Sequence, residues 1–231
     1  MSGHTQLQRK EKDETIAIEI ENLRTGIEQL KLTASKQKQG NPAVVGLAGF
    51  ALTTFVLQFH NVGWMETSTP AIWLGFVYGG AAQFMAGLHE YRTGNNFGYS
   101  AFTTFGSFWI AFALMMVGHR INLYQADSVT VGYFLLAFGL YCLLMTVAAA
   151  AITMITFIVF ATLCAGLFLL TIGHFGAPVA NVIAGWDLLF CSLAAWYNML
   201  CVLYKDAYGR EVFPVGKAPL AYFSNCVMKK N

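Results

Sequence analysis

Asn41-Pro42 stands at the head of a long apolar run, and this pair can do chemistry without a charged side chain. Asn suits an N-cap and Pro the first helical position, so the helix they begin presents unpaired N–H groups and a partial positive charge at its tip. Facing an aqueous mouth, such a tip attracts a carboxylate; facing nothing, it is simply a well-capped helix start. Glu90 and Asp187 lie within or at the edge of apolar segments, where ionisable groups are functional candidates by default. Glu90 reads as a proton relay or as a solvated ion pair with Arg92, and Asp187 as a relay, a substrate contact or a subunit contact. His60, His89, His119 and His174 fall at expected helix ends, where anchoring or capping of carbonyls competes with proton transfer. Uncharged donors are spread over the same segments: Thr53, Thr54, Gln58, Gln83, Thr103, Thr104, Ser107 and Asn198. Ser107 with His174 would suit a hydrolase, but Phe105-Gly106-Ser107-Phe108 lacks a nucleophile turn and no oxyanion loop is evident, so no catalytic residue is assigned and no enzyme expected. Cys142, Cys164, Cys191, Cys201 and Cys226 contain no C-x-x-C pair, which argues against a disulfide framework and a zinc site and leaves no cofactor or metal expected.

What must position these residues is a membrane. The chain is 56% apolar and 15% aromatic with only 11% charged residues, far from soluble averages. From residue 41 to 204 there are six charged side chains, while seven of the 14 Lys and Arg precede that stretch and five follow it. Cutting at Gly, Pro, Asn and charge clusters gives six segments, roughly 43–64, 70–89, 99–118, 129–149, 152–173 and 178–204, each near the ~20 residues that cross a bilayer core. Cytoplasmic loops retain Lys and Arg. With both ends inside, Arg120 is the single cation left outside, which favours an all-α, polytopic fold with six transmembrane helices and both termini cytoplasmic. The expected division is 1–40 as a cytoplasmic segment with a short amphipathic helix, 41–204 as the membrane domain and 205–231 as a cytoplasmic tail. The polar first 40 residues predict no cleavable secretion signal, and the net charge of +2 fits anionic lipid better than nucleic acid.

From Val129 to Gly173 no charge and no Pro interrupts the chain, yet one helix of that length would be about 67 Å long, twice the bilayer core. A tight turn is therefore expected near Ala148 to Ala151. Upstream, Ile16, Ile20, Leu23, Ile27 and Leu30 form an apolar seam on a polar helix, suited to a membrane surface or to zipping neighbouring subunits. Gly75, Gly79 and Gly80 make the second segment smooth enough for close backbone approach. Trp64, Trp73, Trp109, Trp186 and Tyr204 mostly fit an aromatic belt at the headgroups.

The segment Asn41-Pro42-Ala43-Val44-Val45-Gly46-Leu47 resembles the N-P-A-P-L-G-L signature of the acetate uptake transporter family. Its Asn41, Pro42, Gly46 and Leu47 match, and Val44 replaces the second Pro. His60-Asn61-Val62-Gly63, Tyr78-Gly79-Gly80-Ala81-Ala82-Gln83, Glu90-Tyr91-Arg92-Thr93-Gly94-Asn95, Ala101-Phe102-Thr103-Thr104-Phe105-Gly106-Ser107-Phe108-Trp109 and Ala195-Trp196-Tyr197-Asn198 resemble further blocks of it in order. The resemblance implies six helices around a central pore in each subunit, a homo-oligomer of six subunits, and acetate, succinate or another small carboxylate as the transported partner. It implies an apolar gate at Phe50, Phe105 and Leu163, where Phe105 stands in place of the Tyr of many relatives. Fungal members suggest ammonium or ammonia as the alternative cargo, and a non-transporting structural or sensory protein would use the same packing features.

A small carboxylic acid with a pKa near 4.3 is only ~0.2% neutral at pH 7. Moving the anion past apolar rings strips its water, at a cost of several kcal/mol unless donors replace that water. The expected substrate-binding set is Asn41, Thr53, Thr54, Gln83, Thr103, Thr104 and Ser107, with weak binding at several sites. Entry together with a proton would instead use Glu90 or Asp187. The expected location is the plasma membrane.

Overall fold

Free N–H groups at a helix start need partners, and this chain places a capping side chain at most of them. In the computed structural model, which describes residues 2–36 and 40–222, Asn41 accepts from the Ala43 N–H (3.0 Å), Asn95 from Gly98 (3.1 Å), Asp127 from Thr130 (2.7 Å) and Thr153 from Thr156 (3.2 Å). Pro42 stands in the first turn of the helix that Asn41 caps, and Pro70 and Pro178 stand in the first turn of two further helices. The chain divides into two units, Met1–Gly40 and Asn41–Asn231. The first holds α1 (Ser2–Lys36), a single helix that runs through Gly26 and is longer than the short helix expected. Ile16, Ile20, Leu23, Ile27 and Leu30 are all exposed on it.

The second unit contains α2 (Pro42–Asn61), α3 (Thr69–Phe76), a π-helical segment (Val77–Ala82), α4 (Gln83–Thr93), α5 (Asn96–Arg120), α6 (Ser128–Ala149), α7 (Met154–His174) and α8 (Pro178–Tyr208). Counting α3, the π segment and α4 as one continuous rod, these make six spans long and apolar enough to cross a membrane. Among the described residues there is no strand. The turn expected near Ala148 to Ala151 falls at residues 150–153, ended by the Thr153 cap. Two boundaries differ from expectation. The second span continues to Thr93, which carries Glu90 and Arg92 inside the helix, where Gly94 ends it in the left-handed conformation (φ 79°). The last span continues to Tyr208, and the segment after it is no free tail. Tyr197 donates to the Pro214 carbonyl (2.9 Å), Ile155 N–H to Val215 (3.1 Å) and Leu220 N–H to Ala150 (3.1 Å), folding that segment back over one end of the bundle. Cys226 and the remaining tail lie outside the described residues.

Around the bundle, α5 packs on α3, the π segment and α4, which pack on α2; α2 packs on α8, α8 on α7 and α7 on α6. The seam between α5 and α6 is closed by rings: Phe108 against Phe134 (5.4 Å) and Phe138 (4.9 Å), and Phe105 against Tyr141 (5.8 Å), whose hydroxyl donates to the Ser100 carbonyl (2.9 Å). The π segment was not expected. It brings the Tyr78 carbonyl against Gly49 and the Thr53 side chain against Gly79, so that each helix approaches the other closely at a glycine. Thr153→Ala removes the α7 cap and its second bond to the Thr156 hydroxyl (2.8 Å). A loss of about 1 kcal/mol is expected, read as a Tm lower by about 2–4 °C in detergent; an unchanged Tm would mean that the cap has a substitute.

Candidate functional site

Helical periodicity puts Leu47, Phe50, Thr54 and Leu57 on one stripe of α2, Ala101, Phe105 and Phe108 on one stripe of α5, and Val159, Leu163, Leu167 and Leu170 on one stripe of α7. The three stripes converge. Between them lies a file of four cavities, each sharing its wall with the next. The first, about 320 Å³, opens where α2 begins and α8 ends, beside Ala43, Asn95, Thr153, Asn198, Lys205 and Glu211. The second is about 20 Å³ and shares Leu47, Ala101, Phe102, Val159 and Phe160 with the first. The third is about 30 Å³, and its wall in common with the second is Phe50, Phe105 and Leu163. The fourth, about 330 Å³, opens at the opposite end and shares Leu57, Phe108 and Leu170 with the third.

Phe50, Phe105 and Leu163 therefore occupy the middle septum, each from a different helix. They are 6%, 4% and 6% exposed, and the two rings stand 6.3 Å apart at 59°, which closes the file. The inner chambers are each room for about one water. Gln83, the first residue after the π segment, lines the 20 Å³ chamber and its Oε1 has no hydrogen-bond partner. Thr54, Gln58 and Trp109 line the 30 Å³ chamber; the Thr54 hydroxyl and the Trp109 indole N–H are unpartnered, while Gln58 donates to the Thr54 carbonyl (3.1 Å) and accepts from Asn61 (2.7 Å). Buried polar atoms without partners are costly, and here the Thr54 hydroxyl and Trp109 N–H stand on one side of the septum and the Gln83 Oε1 acceptor on the other.

Other expected site residues lie elsewhere. Thr103, Thr104 and Ser107 line none of the four cavities. Thr103 donates to the Tyr99 carbonyl (2.6 Å) and packs against Gly87, and exposed Ser107 donates to the Thr103 carbonyl (2.8 Å). These hydroxyls are satisfied by their own helix. Thr53 is fully buried against Gly79, beside the passage wall but outside it. Asn41 caps α2 with its side chain at the surface, next to Ala43 in the wall of the first cavity. Of the signature residues, Pro42 opens the helix, Gly46 lies under the Phe102 ring, and Leu47 lines the first septum.

The acids also sit differently. Glu90 is 2% exposed and makes no ion pair with exposed Arg92 among the described residues. Its Oε2 accepts from Asn95 (2.8 Å) and Thr93 (3.3 Å), its Oε1 has no partner, and Asn95 lines the first cavity, so Glu90 stands one side chain behind that wall. Asp187 lines none of the four cavities. It lies at the α7–α8 contact beside Gly166, and its buried Oδ2 has no hydrogen-bond partner. Trp109 is 3% exposed and part of the wall, unlike exposed Trp64, Trp73 and Trp186. Among the described residues no group of His, Cys, Asp or Glu could hold a metal.

Two features of the mouths escaped the sequence reading. Lys205 and Glu211 both line the first cavity and pair at 3.0 Å across the bend after α8. His60, His119 and His174, expected as separate helix-end residues, line the fourth cavity together.

A family model described as the GPR1/FUN34/yaaH family matches residues 25–220 of this chain. The chain is 35% identical over 183 residues to the succinate-acetate/proton symporter SatP of Escherichia coli (strain K12), covering 78% of this chain and 97% of that protein. It is 33% identical over 202 residues to acetate permease A of Emericella nidulans, covering 79% and 68%. The solved structure of the bacterial acetate channel SatP superposes with a TM-score of 0.75 at 35% identity, covering 78% of this chain and all of that one.

Proposed function

Because this chain belongs to the GPR1/FUN34/YaaH family, whose relatives above are transporters or channels and no enzymes, we propose that it carries acetate or a similar short carboxylate across the membrane along the file of cavities. The observation that carries this reading is the septum of Phe50, Phe105 and Leu163 between two chambers that each expose one set of unpartnered polar atoms. Acetate has a methyl group that suits the apolar rings and two oxygens that suit the Thr54 hydroxyl and Trp109 N–H on one side, while on the other the unpartnered Gln83 Oε1, an acceptor, suits the O–H of the protonated acid. The inner chambers are too small for its four heavy atoms, so each passage requires the septum to part. Asn41, at the head of α2, adds the helix-tip charge to the first mouth. Glu90, held behind the wall by Asn95, is the group from which a proton could accompany the anion.

Ammonium is served poorly by the same walls. A cation stripped of water needs carboxylates or a dense ring of carbonyls, and Glu211, tied to Lys205, is the single acid lining any of the four cavities. The excess of Lys and Arg on one side of the spans supports cytoplasmic termini, and the family resemblance supports a ring of six subunits in the plasma membrane. Purified protein in liposomes is expected to accelerate entry of labelled acetate over protein-free vesicles, with unlabelled succinate or propionate competing and ammonium chloride having no effect. Acetate entry equal to that of protein-free vesicles would overturn the transport reading, and competition by ammonium would overturn the choice of cargo.

A further inference from the structure

We infer that the fourth cavity is an anion-collecting mouth charged by His60, His119 and His174, which binds small carboxylates when protonated and releases them when neutral. The three imidazoles come from the ends of three different helices, α2, α5 and α7, and line one space of about 330 Å³ together with Asn61, Ser68, Ser128 and Asn181. Among the described residues none of them is held by a carboxylate. His60 Nδ1 lies 3.1 Å from the Met65 carbonyl, so that nitrogen carries the proton and Nε2 takes the second one. Ser128 donates to the His174 carbonyl (2.9 Å), which turns its lone pair to His174 Nδ1 (3.1 Å) and again leaves Nε2 to titrate. His119 differs: its Nδ1 accepts from the Ala126 N–H (3.2 Å), so protonation there frees a backbone donor at the rim.

The charge around this mouth decides its sign. The loops and helix ends on this side carry exposed Glu66, Arg120 and Asp127, and none of the three lines the cavity. Hydrogen bonds from Thr130, from its hydroxyl and then its backbone N–H, hold the Asp127 carboxyl below the usual carboxylate range, so it stays ionised while histidine titrates. The surrounding elements contribute no other acid or base to the walls: the residue before α3 is Ser68, α6 offers Ser128 with Val131 and Leu135, and α8 Asn181. Tyr124 on the adjoining loop is engaged, donating to the Leu114 carbonyl (2.8 Å). With neutral imidazoles the end of the bundle is net negative and repels anions. With all three protonated it is net positive, and a concave wall of one sign concentrates counter-ions.

This inference deepens the carboxylate reading of the same passage and rests on it, so the test needs two readouts. In liposomes at pH 5.5 and 7.5, after subtraction of protein-free vesicles, the KM for acetate expressed as anion concentration is expected to fall about fivefold or more at the lower pH. In the His60→Gln, His119→Gln, His174→Gln triple variant it is expected to stay flat across that range. A triple variant that keeps the shift overturns the inference. If wild-type protein shows no flux, or the triple variant fails to fold, NMR titration of 15N-histidine-labelled wild-type protein with sodium acetate decides independently. A bound anion must raise the pKa of these three histidines, and unmoved titration curves overturn the mouth even where transport itself is sound.

Discussion

Phe50→Trp is expected to lower acetate flux by about tenfold to a hundredfold while the protein still assembles and purifies. Phe50 faces Phe105 at 6.3 Å across the middle septum, with chambers of about 20 and 30 Å³ on its two sides. An indole fills what space those chambers offer, and overpacking of a close-packed site costs about 1–3 kcal/mol. That cost falls on the parted state, where the ring must find room to swing, and each 1.4 kcal/mol or so on a barrier is about tenfold in rate. The reverse change, Phe50→Ala, joins the two chambers. It is expected to raise flux and to admit bulkier acids such as benzoate, and to cost about 3–5 kcal/mol of stability as a buried Phe truncation does. Initial rates of labelled acetate and benzoate entry, taken with Tm, check both. Equal rates for wild type, Phe50→Trp and Phe50→Ala would remove the septum from the transport path.

The second large effect is structural. Gly49→Leu is expected to abolish properly assembled protein, because a Cβ at residue 49 would stand 2.5 Å from the Tyr78 carbonyl oxygen. The oxygen belongs to the π segment and cannot retreat without breaking the backbone that positions Gln83. The nearby contact is equally tight, since a Cβ at Gly79 would stand 2.7 Å from Thr53 Cβ. The control is Gly26→Ala in α1, where nothing lies within 4 Å; it is expected to gain up to about 1 kcal/mol of helix stability. Size-exclusion profiles and helicity by circular dichroism read both. A monodisperse Gly49→Leu protein with wild-type flux would show that α2 and the π segment do not need their close approach.

The six spans were legible because hydropathy, length and charge all report one solvent, and every rod in it must satisfy its own backbone. The turn after Ala149 was legible from length alone, since no bilayer accommodates an uninterrupted rod from Val129 to Gly173. The family resemblance in Asn41 to Leu47 and the blocks after it is borne out by the family match. Residue roles were less legible. Thr103, Thr104 and Ser107 were chosen because hydroxyls suggest a polar passage, yet a hydroxyl on a helix can bond its own preceding turn, and those of Thr103 and Ser107 do. The stripes that do line the passage, Leu47-Phe50-Thr54-Leu57 and its counterparts on α5 and α7, are mostly apolar and look like core. The π segment left no trace beyond smooth Gly-Gly-Ala-Ala, and Asp187 could not be assigned a face. The histidine mouth was within reach: alternating spans carry His60, His119 and His174 to the same end, and only their convergence on one cavity needed coordinates.

The two small chambers have a consequence for the energy economy of a cell. Protons move along water by Grotthuss hopping, from one hydrogen-bonded molecule to the next, and the hop fails wherever the chain is cut. Each small chamber here has room for about one water, with carbon-walled septa before, between and after them. At rest the passage therefore behaves as an insulator, able to sit in an energised membrane in many copies without short-circuiting the proton gradient on which that membrane depends.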